Sequence, residues 1–129
     1  MAILQAGCSL DISSGYSFDF QGEQASRTEH VDIPAGVKIV DLTNLFGNVV
    51  IQAPGDQNAT IDWDLTCWAD KEQEAARLTE QVQFICSAGT DSSRCEVVLP
   101  DGPQNKLRGV KSNITVSIPA SMKIKVENS

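Results

Sequence analysis

The sequence has little with which to build a catalyst. It contains one histidine, His30, and no cysteines or histidines at the close spacing of a zinc site. It has no G-x-S-x-G elbow and no glycine-rich phosphate loop. Serine and aspartate are plentiful, but a lone histidine in an alternating segment is a surface or packing residue far more often than a general base. The expectation is a protein that is not an enzyme and needs no cofactor or metal. Basic residues are scarce too, with 10 Lys and Arg against 17 Asp and Glu, for a net charge of −7. Such a chain repels phosphate, so nucleic acid is not an expected partner. Lys106, Arg108 and Lys111 form the only modest basic cluster and read as a solvated loop. No run of about 18 apolar residues occurs, so no helix of this sequence is expected to span a bilayer.

What is present is a globular composition, 41% hydrophobic and 21% charged over 129 residues. That is enough to bury the core of one domain without metal or disulfide staples. The four cysteines, Cys8, Cys67, Cys86 and Cys95, exceed the usual content of a cytosolic domain this size. Disulfides in an oxidising compartment are their expected use. Cys86 and Cys95 bracket a short loop between two predicted strands, a natural position for a cross-strand bridge, which leaves Cys67 as a buried thiol. Cys67 shares a strand face with Trp63, and a Cys67–Cys86 pairing is the alternative.

The opening "MAILQAGCSL" resembles the end of a bacterial lipoprotein signal peptide, in which Leu, small residues and Gly precede a cysteine that becomes lipidated. Gln5 stands where an aliphatic residue is commonest, and the basic and most of the apolar leader regions are missing. On this reading Cys8 is the lipid attachment site, and residues 1–15 are a leader remnant and flexible tether. The implied location is the bacterial cell envelope, periplasmic or at the surface, with a lipid anchor in the membrane.

Alternating apolar and polar residues dominate the remainder. Tyr16, Phe18 and Phe20 alternate in "YSFDFQGEQ"; Ile61, Trp63, Leu65 and Cys67 alternate with Asp62, Asp64 and Thr66 in "ATIDWDLTCWA". Further strands are predicted at Val37–Leu42, at Asn48–Gln52, on both sides of the loop between Cys86 and Cys95, and in "NITVSIPA" and "MKIKVEN". The period changes once. "DKEQEAARLTEQVQF" is rich in helix formers, with Asp70 at its start, and Ala75, Leu78, Thr79 and Val82 share one helical face. The fold class is therefore mainly β, a sandwich or solenoid-like domain at residues 16–129 with one amphipathic helix inserted at about residues 70–83.

"IPAGVKIVDLTN", from Ile33 to Asn44, is echoed by "IPASMKIKVEN", from Ile118 to Asn128. Together with the Trp-bearing strand, the Ala- and Glu-rich helix and "CEVVLP", these stretches resemble the bacterial "putative adhesin" family of unknown function. Ile33-Pro34, Asn44 to Gly47, Glu74, Ala75, Leu78 and Ile118-Pro119 carry the resemblance. It implies an exported or membrane-attached protein whose β-rich, one-helix start leads into a β-solenoid, with this chain as the entry portion. A last strand cut off after Asn128 would then expose an edge open to self-association.

The expected function is accordingly a non-enzymatic envelope domain, adhesin-like, structural or linked to envelope stress, meeting an unidentified envelope or surface partner. The alternative is a carbohydrate-binding or enzyme-accessory module. It would use Trp68 as a stacking platform with Asp62 and Asp64, two carboxylates on the same strand face. "NAT" at Asn58 and "NIT" at Asn113 are common triplets and carry little weight.

Overall fold

The computed structural model describes residues 2–3, 8–13, 22–34, 36–53, 59–99, 107–119 and 121–128. Among them, in chain order, lie β1 (Ala2–Ile3), β2 (Cys8–Ser13), β3 (Glu23–Ile33), β4 (Ile39–Asn44), β5 (Asn48–Ala53) and β6 (Ala59–Ala69). They are followed by α1 (Glu72–Gln81), β7 (Gln83–Ala88), β8 (Ser92–Val98), β9 (Leu107–Ser117) and β10 (Lys123–Asn128). The strands form two five-stranded sheets, β1-β10-β4-β8-β7 and β2-β5-β9-β6-β3, here called sheets A and B. Both are mixed and open, and the described residues are mainly β with a single helix, as the period changes predict.

Each sheet turns one face inward because its strands alternate. Ile61, Trp63, Leu65 and Cys67 of β6 and Val110, Ile114 and Val116 of β9 are buried, opposite Val40 and Leu42 of β4, Cys95 and Val97 of β8 and Ile124 of β10. Three strands of sheet B (β3, β6 and β9) are 11 residues long, whereas β4, β7, β8 and β10 of sheet A have only 6 or 7. The helix takes up the excess. It packs on β3 and β6 and buries Ala75, Leu78, Thr79 and Val82 against them. Just beyond its end, Phe84 of β7 stacks on Trp63 with ring centroids 5.4 Å apart. Asp70, at the start of the predicted helical stretch, lies outside the helix. The N-cap is Lys71, with no side-chain cap bond, and Asp70 instead accepts a hydrogen bond from Arg108 at 2.6 Å.

The echo of Ile33–Asn44 in Ile118–Asn128 is architectural. After each Ile-Pro the chain makes the same turn, with Val37 N–H donating to the Pro34 carbonyl (3.2 Å) and Met122 N–H to the Pro119 carbonyl (3.0 Å). Each turn carries the chain from sheet B to sheet A, where β4 and β10 lie parallel with Asn44 opposite Asn128. Parallel pairing recurs elsewhere, β4 with β8 in sheet A and β5 with β9 in sheet B. Antiparallel pairs β1–β10, β2–β5, β3–β6, β6–β9 and β7–β8 complete the two sheets.

Two expectations need correction. Residues Cys8–Ser13, read as tether, form β2 and pair antiparallel with β5. Leu10 and Ile12 are two apart, the spacing of a strand face, and half-buried Ile12 packs on the core. Strand β10 is not the sheet edge: β4 pairs along one side of it and β1 covers Lys123 and Ile124 on the other. Tyr16, Phe18 and Phe20 lie outside the described residues.

Candidate functional site

The outer face of sheet B gathers most of the polar residues singled out from the sequence. Alternation on β6 turns Asp62, Asp64, Thr66 and Trp68 outward, because Ile61, Trp63, Leu65 and Cys67 occupy the core. The register sets His30 and Thr115 beside Asp62, Thr28 and Asn113 beside Asp64, and Gln24 and Gly109 beside Trp68. The result is a flat, hydroxyl- and carboxylate-bearing surface with a shallow depression of about 450 Å³ lined by Thr28, Glu29, His30, Asp62, Trp63 and Asp64.

His30 sits between two carboxylates. Its Nδ1 lies 2.6 Å from Asp62 Oδ1 and its Nε2 2.9 Å from Asp32 Oδ1. The hydrogen bond to Asp62, followed by that to Asp32, raises its pKa above the ordinary 6.5. Asp62 Oδ1 is therefore engaged by His30. Trp68 is half-buried on the same face as both carboxylates. It stands four residues beyond Asp64, about 13 Å along the strand. The structure does not bring Trp68 together with Asp62 and Asp64 in one pocket. Among the described residues, no group of three or more His, Cys, Asp and Glu side chains could hold a metal ion.

Cys86 and Cys95 are directly opposite one another on β7 and β8 and are joined by a disulfide, with Cα atoms 4.1 Å apart. Cys67 is free and fully buried. Burial pushes its thiol up to about 11, with Arg27 opposing that shift, so it is an inert core residue rather than a nucleophile. The Cys8 backbone pairs opposite Ala53; its side chain lies outside the described residues.

Arg27 is the residue that sequence reasoning missed. It occupies an inward position of β3, with its guanidinium carbon 4.9 Å from the centre of the Trp63 ring. It donates to the carbonyls of Glu80 (3.2 Å) and Val82 (2.5 Å), where α1 ends with unsatisfied oxygens and the negative end of its dipole. The available signal was a charge in the register of Ala25, Val31 and Ile33, which marks an inward cation needing partners.

No family model matches this chain, and no curated protein matches it. Among solved structures it is similar to a "putative cell adhesion protein" from Clostridium sporogenes, with a TM-score of 0.43 and 10% identity. The similarity covers 81% of this chain and 47% of the other, so this chain spans about half the length of that neighbour. No helix among the described residues is long and apolar enough to cross a membrane.

Proposed function

We propose that this protein is a non-enzymatic domain of the bacterial cell envelope, adhesin-like or structural in role, anchored through a lipid on Cys8. It acts by display. A rigid sandwich presents the flat outer face of sheet B to an envelope or surface partner, and nothing is turned over. The observation that carries the reading is the Cys86–Cys95 disulfide between register partners on β7 and β8, since such bonds persist outside the reducing cytosol. A net charge of −7 supports a protein rather than a nucleic-acid partner.

Self-association has its best-suited edge at β7. Strand β7 ends sheet A, carries no charged residue from Gln83 to Ala88, and leaves Ile85 45% exposed. The strand that ends sheet B, β3, is guarded by Glu23, Glu29, His30 and Asp32.

Expression in a bacterial host behind a complete lipoprotein leader, followed by fractionation and metabolic labelling with an alkyne fatty acid, tests the anchor. The expected result is a labelled protein in the membrane fraction that becomes soluble and unlabelled as Cys8→Ser. Unlabelled wild type left in the soluble fraction would remove the anchor from the account.

A further inference from the structure

We propose that His30, Asp32 and Asp62 form a proton-operated latch on the free edge of sheet B. The geometry carries this. Both ring nitrogens of His30 face carboxylate oxygens, at 2.6 Å and 2.9 Å, and a carboxylate is an acceptor. A neutral imidazole has one N–H and one lone pair, so it can satisfy one of these contacts and must turn a lone pair on the other. Only the imidazolium donates to both.

The latch joins elements that the backbone ladder alone would leave at a sheet margin. Asp32 lies on β3 with His30, whereas Asp62 lies on β6, and His30 and Asp62 are register partners. Strand β3 is the last in sheet B, so among the described residues no further strand faces His30 from the other side. The remaining charged neighbours are Glu29, on its own strand, and Asp64, two residues beyond Asp62; both line the same depression. Glu29 is itself paired with Arg27 at 3.3 Å, and the groups that favour the charged ring are Asp62 and Asp32. Arg27, on the same strand, is also taken up by Trp63 and by the end of α1.

The sign follows. The folded-state pKa is raised, so any contribution of the latch to stability is fully present below the unfolded value of about 6.5 and is lost as pH rises through the folded value. Closed, the imidazolium cancels one of the two carboxylates. Open, Asp32 and Asp62 stand uncompensated beside Asp64, and this corner of the face becomes more negative. All three side chains are at least half exposed, so the device changes surface charge and the freedom of an edge far more than global stability. It holds whether or not this face meets the proposed partner.

Because the chain has one histidine, a pH titration followed by imidazole NMR reads the latch without assignment. The expected midpoint lies above 6.5, both ring nitrogens are protonated below it, and Asp62→Asn lowers it more than Asp32→Asn does. Amide exchange at the Ile33 end of β3, corrected for intrinsic base catalysis, should accelerate across the same midpoint in the wild type and show no such step in His30→Gln. A midpoint at or below 6.5, or one that Asp62→Asn leaves in place, overturns the proposal.

Discussion

Asn44 and Asn128 face each other at the ends of two parallel strands, with Asn44 Nδ2 donating to Asn128 Oδ1 at 3.2 Å. The pair holds together the point where the chain crosses between sheets. Asn44 Nδ2 also reaches the Ser112 carbonyl at 2.9 Å, and Asn128 Nδ2 reaches the carbonyls of Ile12 (3.0 Å) and Gly47 (2.9 Å). Ser112 Oγ donates to Asn44 Oδ1 at 2.8 Å and accepts from Trp63 Nε1 at the same distance. Phe46, at φ 58°, turns the chain sharply enough for its carbonyl to take the Ser112 N–H at 2.9 Å. A Cβ on Gly47 would run into the Ser112 carbonyl. Every buried polar group here depends on its neighbours.

Replacing Asn44 should therefore be costly. It is fully buried, and Asn44→Ala strands the Ser112 hydroxyl and carbonyl, at about 1–3 kcal/mol for an unsatisfied buried group. Asn44→Asp keeps the shape but puts a second acceptor against the Ser112 carbonyl, and should cost at least as much at neutral pH. Urea unfolding of the two variants checks both. Loss of stability in Ala but not in Asp would contradict the network.

Arg27 should matter through its fork rather than its charge alone. Arg27→Met keeps an apolar stem over Trp63 and removes the donors to Glu80 and Val82. About 1–3 kcal/mol of destabilisation is expected, since charge-assisted hydrogen bonds lie in that range. Arg27→Lys should recover only part of it, because a single ammonium cannot reproduce the planar geometry. Full rescue by lysine, read from the urea midpoint, would count against the capping role.

Association through β7 should be separable from folding. The hairpin closes with Gly89 N–H donating to the Ser92 carbonyl at 2.7 Å, and alternation from that pair turns the backbone groups of Phe84, Cys86 and Ala88 away from β8. Ala88→Pro removes an outward N–H that the hairpin does not use, and Ile85→Lys places a charge on the edge. Sedimentation over a wide concentration range should show weak association of the wild type, lost in both variants. Association that survives both substitutions would exclude this edge.

Much of the fold was legible because burial in a sandwich imposes period two, and β6 and α1 state their periods plainly. Parallel pairing was not legible, since alternation is the same for a strand in either direction. The echo hinted that β4 and β10 were equivalent, but not that they lie side by side. Strand β2 was masked by its serines, which read as tether although Leu10 and Ile12 keep strand spacing. At the candidate site, alternation put Asp62 and Asp64 on one face. The clamp on Asp62 depends on His30, 32 residues away in sequence, and local pattern carries no register between distant strands.

The most direct test of an exported, disulfide-stapled domain is the cysteine state inside the producing bacterium. Cells are lysed natively with one thiol-blocking reagent present, the protein is then denatured with a second, and it is digested without reduction for mass spectrometry. The account predicts a linked Cys86–Cys95 peptide and a Cys67 peptide that is blocked only after denaturation, as befits a buried thiol pushed up to about 11. Cys86 and Cys95 recovered separately, each carrying a blocking group, would contradict it.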